Sequence, residues 1–206
     1  MPRKLKSSAR RDRRNRKYYA LGFVVAVAII VSAVLVYMKP WENEDNTVPV
    51  EPVNVLLQTS MGNITIQLRT DMPITTGNFK NLVEQGIYDG TIFHRVINDT
   101  TPYMIQGGDP TGTGMGDPSI PSIEDEFTSN NHNNRGTIAM ANAGPDTGSS
   151  QFFINTADNN YLDSAHPVFG EVIQGMDVVD AISDVPRDQN DRPLTNLTII
   201  KAEIIP

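Results

Sequence analysis

The chain has 206 residues, with 17 Lys and Arg against 24 Asp and Glu, a formal net charge of −7 and no cysteine. The length suits one ordinary domain with appendages. The missing cysteine excludes disulfide staples, thiol nucleophiles and thiolate metal sites, and the acidity argues against nucleic acid as a partner.

The charge is unevenly placed. Residues 1–17 hold nine Lys or Arg with Asp12 as the single acid, and an uncharged run of 21 residues follows from Tyr18 to Met38. A helix rising about 1.5 Å per residue crosses the roughly 30 Å hydrocarbon core with such a run, which predicts a transmembrane helix over 18–38. A cleaved signal peptide has a shorter apolar region of about 7 to 15 residues ending in small side chains, whereas this run ends Val-Tyr-Met-Lys-Pro-Trp. The basic excess before the span predicts a cytoplasmic tail over 1–17 and a single-pass membrane protein whose C-terminal domain is extracytoplasmic. Tyr18, Tyr19, Tyr37 and Trp41 stand where interfacial aromatics are expected.

Residues 39–53, with Pro40, Pro49, Pro52 and several acids, read as a linker that reaches about 3.1 Å per residue when extended. Residues 54–206 then form one domain. From residue 40 onward there are seven basic side chains and 23 acids, a net of −16; such a surface keeps the domain soluble and repels phosphate backbones.

Within that domain the periodicity is mostly that of strands. Val55–Thr59 and Asn63–Leu68 alternate around Ser60-Met61-Gly62, a hairpin signal. Further apolar or alternating runs lie at 92–97, 103–106, 137–141, 151–155, 168–173 and 197–204. Two segments read as helices: Pro73 opens one with Phe79, Leu82 and Val83 on a single face and Gly86 as its stop, and Met176, Val179 and Ile182 mark the other. Many short strands with two helices predict an all-β domain, a closed barrel with helical caps, because closure removes exposed sheet edges.

Four segments carry the chemistry: Phe93-His94-Arg95-Val96-Ile97, Tyr103-Met104-Ile105-Gln106-Gly107-Gly108-Asp109, Met140-Ala141-Asn142-Ala143-Gly144-Pro145 with Gln151-Phe152-Phe153-Ile154, and Leu162 through His166-Pro167-Val168-Phe169-Gly170. Strand alternation places Met104 with Gln106, and Gln151 with Phe153, opposite Ile105, Phe152 and Ile154. One face packs a core while the other lines a groove with one cation and several apolar side chains. The three histidines, His94, His132 and His166, lack ligand spacing with acid clusters, so no metal site is expected. His94 reads as structural, on the strand face opposite Arg95. Ser149 and Ser150 lack a nucleophile-elbow context. The Gly107–Gly116 stretch lacks the Lys-Ser/Thr of a phosphate loop and reads as a mobile loop beside the groove.

These motifs, in this order, resemble the cyclophilin-type peptidyl-prolyl cis/trans isomerases over residues 54–206. The resemblance implies a closed eight-stranded antiparallel barrel with two α-helices, here following the transmembrane helix, and an enzyme without a cofactor. It implies that Arg95 is the catalytic cation, that Tyr103, Met104, Phe153, Leu162 and His166 form the proline pocket, and that Gln106, Ala141, Asn142 and Gln151 bind the substrate backbone. Proline-containing polypeptides, exported or membrane proteins as they fold, are the implied partners. Tyr161 stands where many members carry Trp, so a cyclosporin-type ligand is expected to bind with weakened affinity. The segment Asn98–Pro102 is longer than the family's usual one. The competing reading is a membrane-tethered proline-peptide scaffold that uses the same groove with little turnover.

Overall fold

A computed structural model describes residues 51–206. The basic head, the predicted span 18–38 and the linker up to residue 50 lie outside the described residues. Among the described residues no helix is long and apolar enough to cross a membrane.

The sheet has eight strands: β1 Asn54–Thr59, β2 Gly62–Leu68, β3 Arg95–Ile97, β4 Met104–Gly107, β5 Thr137–Met140, β6 Phe152–Asn155, β7 Val168–Gln174 and β8 Ile199–Ile205. All neighbours pair antiparallel, in the order β3-β4-β6-β5-β7-β2-β1-β8. The β1–β2 hairpin turns on Ser60 and Met61, with Thr59 facing Gly62 and the Thr59 hydroxyl donating to the Gly62 carbonyl at 2.7 Å. The strand runs at 55–59, 63–68, 103–106, 137–141, 151–155, 168–173 and 197–204 correspond to seven of these strands. The run at 92–97 shortens to 95–97, because Ile92 leaves the β4 ladder to bridge Asp109 on one side and Thr198 on the other.

That departure also corrects the expectation of a fully closed barrel. The edge strands β3 and β8 share no ladder. The gap is spanned by Thr91–Phe93 against Leu197–Ile199, through Phe93 N–H to Leu197 O at 2.9 Å and Ile199 N–H to Thr91 O at 2.8 Å. These short contacts satisfy the edge groups without a continuous eighth pairing.

Helix α1 (Pro73–Glu84) and helix α2 (Met176–Ser183) sit where the periodicity predicts. Helix α1 begins on its proline and buries Phe79, Leu82 and Val83, while α2 buries Val179 and Ile182. Helix α1 packs on β7 and β8, and α2 on β2, β3 and β4. The main core centres on Phe79, whose ring lies 5.0 Å from Tyr88, 5.6 Å from Phe152 and 5.0 Å from Phe169. A second, smaller apolar cluster of Ile97, Met104, Ala139, Phe153 and Val168 lies apart from it, with Ala141 and Leu162 packed alongside. This cluster is the floor of the site.

Candidate functional site

Strand register assembles the site. Arg95 on β3 faces Gln106 on β4, Gln106 faces Phe153 on β6, and Phe153 faces Ala139 on β5. Because opposed residues point to the same side of a sheet, a cation, an amide, an aromatic ring and a methyl group form a row across four strands. Their chain neighbours Val96, Ile105, Phe152 and Ile138 project the other way into the main core. The alternation read from the sequence therefore separates core from groove as expected for Met104, Gln106, Phe153, Ile105, Phe152 and Ile154.

Above the row is a cleft of about 230 Å³ lined by Arg95, Pro102, Met104, Gln106, Ala141, Asn142, Phe153, Leu162 and His166. The walls are held from behind. His166 stands edge-on to Phe153 with ring centres 5.3 Å apart, and its Nδ1 lies 3.1 Å from the Met140 carbonyl. Segment 156–167 carries only one turn of 3₁₀ helix, Asn160–Leu162, so buried amides position it. Asn131 donates to the carbonyls of Asp163 and His166 and accepts from Val168 N–H at 2.7 Å, while Asn159 bonds both backbone groups of Tyr103. Asn142 Nδ2 donates to Ala165 O at 2.7 Å, tying the two banks together.

Gln106 Nε2 donates to Gln151 Oε1 at 2.9 Å, and Gln151 Nε2 donates onward to Gly114 O at 3.1 Å. Gln151 thus stands behind Gln106 and outside the cleft lining. The Gly107–Gly116 stretch, expected as a mobile loop, is instead clamped on buried Asp109. That carboxylate accepts from Thr111 N–H and hydroxyl, from the Thr113 hydroxyl, and from the N–H groups of Gly114 and Gly116. Burial opposes its charge, but the bonds from Thr111, Gly114 and Gly116 outweigh that and hold its pKa below the ordinary value. Gly108, at φ +84, lets the chain turn into this clamp; a Cβ there would meet Ser150 O at 2.6 Å.

A second hollow of about 370 Å³ shares Arg95 and Gln106 with the cleft and continues past them to His94, Thr113, Gly114, Met115, Asp188, Asn190 and Arg192. His94 is buried, as a structural residue should be, yet it borders the same hollow as Arg95. Its pKa is lowered by burial, against a raising effect of Asp109 and with Arg192 and Arg95 also lowering it. A larger concavity of about 430 Å³ lies elsewhere, around Gln67, Arg69, His132 and Glu171. Its arginine is spent on Asp71, Thr128 and Asn130, so the smaller cleft is where a cation meets apolar walls.

Of the residues singled out in the sequence, Arg95, Met104, Gln106, Ala141, Asn142, Phe153, Leu162 and His166 are brought together. Tyr103 and Tyr161 do not line the cleft; Tyr161 is 58% exposed. Pro102 takes the wall position next to Met104, and sequence reasoning missed it because it closes an irregular loop. Asp191 was also missed. It lies 96 positions along the chain, in a segment without periodicity, and reaches Arg95 Nε at 3.5 Å.

Residues 54–204 match the family described as cyclophilin type peptidyl-prolyl cis-trans isomerase/CLD. A peptidyl-prolyl cis-trans isomerase of Schizosaccharomyces pombe is 50% identical over 153 residues, covering 72% of this chain and 97% of that protein. The human peptidyl-prolyl cis-trans isomerase-like 1 is 47% identical over 156 residues, covering 74% and 92%. Among solved structures, a Cryptosporidium parvum cyclophilin type peptidyl-prolyl cis-trans isomerase superposes with a TM-score of 0.70 at 30% identity, over 75% of this chain and 98% of that one. The same protein solved in the presence of the dipeptide Ala-Pro gives 0.69 at 31%, over 74% and 99%.

Proposed function

This chain belongs to the cyclophilin-type peptidyl-prolyl cis-trans isomerases and is such an isomerase, and on that premise we propose that it turns X-Pro bonds in the cleft beside Arg95, in exported or membrane proteins as they fold. The register that sets Arg95, Gln106 and Phe153 in one row carries this reading.

Rotation about an X-Pro bond must break amide resonance; for an ordinary peptide bond that barrier is about 18–20 kcal/mol, and X-Pro exchange takes tens of seconds or more. No covalent bond is made or lost. In the twisted state the proline nitrogen regains a basic lone pair, so a guanidinium beside it stabilises the transition state more than the planar ground state. Arg95 brings a guanidinium, which offers its donors in a fixed plane. Met104, Phe153, Leu162 and His166 supply walls that hold the ring and exclude water, and Gln106, Ala141 and Asn142 supply polar groups for the substrate backbone. An acceleration of about 10⁵ requires roughly 7 kcal/mol from these together. The neighbour solved in the presence of Ala-Pro supports a proline-containing ligand for this fold.

The uncharged run 18–38 after a basic head supports a cytoplasmic N-terminus, a single span and an extracytoplasmic domain. Without an indole donor at Tyr161, a cyclosporin-type ligand binds weakly.

Exchange spectroscopy on an X-Pro peptide tests the site, using the full-length chain in mild detergent. Arg95→Ala should cut the accelerated rate about 100-fold, the scale for losing one preorganised electrostatic group. Peptide binding without acceleration by the unaltered chain would overturn the enzymatic use of this cleft. Protease added outside sealed cells should reach the domain; a domain shielded together with the N-terminus removes the proposed topology and clients.

A further inference from the structure

Strand β3 is three residues long and has a ladder on one side only, against β4. Along its other side runs the segment 187–193, and Val96 N–H, next to Arg95, donates to the Asp191 carbonyl at 2.8 Å. Asp191 sits at φ +62, a left-handed conformation that Asp and Asn adopt more readily than other non-glycine residues. Its turn is closed by Asp191 N–H to Asp188 O at 3.1 Å, Asp188 N–H to Arg192 O at 2.8 Å and a bridge between Arg187 and Pro193. This backbone setting delivers the carboxylate between two guanidiniums. Oδ2 lies 3.5 Å from Arg95 Nε and Oδ1 lies 3.8 Å from Arg187 Nε.

Arg187, with a side chain only 15% exposed, reaches on to Asp99 at 2.7 Å and to the Asn98 side-chain oxygen. Those two residues open the loop that ends at Pro102 on the cleft wall. One chain of charges therefore joins Arg95, Asp191, Arg187 and the Asn98–Pro102 loop.

We propose that Asp191 is a positioning residue for Arg95, holding the Nε edge of the guanidinium so that its two terminal Nη groups face the cleft. This rests on the reading of Arg95 as the site's cation. The side chain of Arg95 is 45% exposed, and a long side chain at that exposure samples several rotamers unless one edge is fixed. Fixing Nε leaves the pair of Nη donors for the substrate. Because the Asp191 carboxylate is shared with Arg187, it orients Arg95 while offsetting only part of its charge. A preorganised cation is worth more to a transition state than one that must be gathered at the moment of rotation.

The test is a mutant cycle on the full-length chain, reading kcat and KM for an X-Pro peptide. Asp191→Asn keeps the left-handed backbone and the carbonyl acceptor but removes the charge. It should lower kcat about fivefold, the upper range for a part-exposed ion pair, with KM and the melting temperature nearly unchanged. In an Arg95→Ala background the same change should cost nothing further, since there is no guanidinium left to hold. A second reading needs no mutation at Asp191: rising salt should lower kcat of the unaltered chain and leave the residual rate of Arg95→Ala flat. Asp191→Asn with unaltered kcat, or an equal loss in both backgrounds, overturns the proposal while Arg95 keeps its role. Arg95→Ala with full activity removes the premise as well.

Discussion

Phe152 and Phe153 are chain neighbours on β6 that face opposite ways, and truncating each should separate stability from activity. Phe152 is fully buried, with edge-on rings at 5.6 Å from Phe79, 5.6 Å from Tyr88 and 6.5 Å from Phe93. Phe152→Ala leaves an enclosed void that these rings cannot fill, at a cost of about 4 kcal/mol. For a domain of this size that lowers the melting temperature by about 8–16 °C. Phe153 is 4% exposed, but one side of its ring borders the cleft. The space left by Phe153→Ala opens to solvent and refills with water, so the cost falls to about 2–3 kcal/mol, or about 4–12 °C.

Activity should order the two the other way. Phe153→Ala removes the broad apolar wall against which a prolyl ring rests. About 50 Å² of lost apolar contact is roughly 1.3 kcal/mol, and looser placement of the ring adds to it, so kcat/KM should fall about 10- to 100-fold. Phe152→Ala, assayed well below its melting temperature, should keep kcat/KM within about threefold, since its ring touches only the interior. Thermal melts by circular dichroism and exchange spectroscopy on one X-Pro peptide give both quantities. If the folded fraction of Phe152→Ala loses as much activity as Phe153→Ala, or if Phe153→Ala stays fully active, this face of β6 does not build the site.

Three further outcomes follow from single contacts. The Glu126 carboxylate accepts Ile74 N–H and Thr75 N–H at 2.9–3.3 Å, capping α1 where Met72 offers no side-chain cap; Glu126→Ala should cost about 1 kcal/mol, or about 2–4 °C in a melt. Gly175, at φ +88, precedes α2 with a Cβ position 2.1 Å from Asn63 O, so Gly175→Ala should destabilise by about 3 kcal/mol or more in denaturant unfolding. His94 has its pKa lowered from the ordinary 6.5, so folding favours its neutral form. That stability is complete above the unfolded value and is lost as pH falls from there through the folded pKa; melts across about pH 5 to 7.5 should show the loss, and His94→Gln should flatten it.

Periodicity carried much of the fold because a strand's alternation reports which face is buried: burial alternates along β1, whereas β4 and β6 are covered on both faces, one by the main core and the other by the smaller cluster under the cleft. The four motif segments likewise converge, since each lies on or beside a strand whose register brings it to the same cleft. What alternation cannot report is contact between irregular segments far apart in the chain. Arg187 meets Asn98 across 89 positions, and neither segment has a period. The Gly107–Gly116 loop looked free because its glycines are visible in the sequence, whereas its anchor is one carboxylate, Asp109, whose partners are backbone N–H groups and two threonine hydroxyls of the same loop. Tyr103 fell outside the cleft for a related reason. Asn159 holds both its backbone groups, and the wall position goes to Pro102 instead.

The acidity of the domain bears on which cation is left to line the cleft. Beyond residue 40 there are seven basic side chains. Arg69 is bound to Asp71 and Arg135 to Asp180, each at 2.7 Å, Arg187 to Asp99 at 2.7 Å, and Lys201 to Glu203 at 2.5 Å. Arg192 donates to Gly112 O at 2.9 Å, and Lys80 pairs along its own helix with Glu84 at 3.7 Å, away from the cleft. Arg95 differs in where it stands: its pairing is through Nε, at 3.5 Å, and its side chain lines the cleft together with Met104, Phe153 and Leu162. An isomerase that breaks no bond needs little more than this: one uncommitted edge of a guanidinium, a ring-shaped hollow, and a backbone rigid enough to keep the two in register while an amide turns.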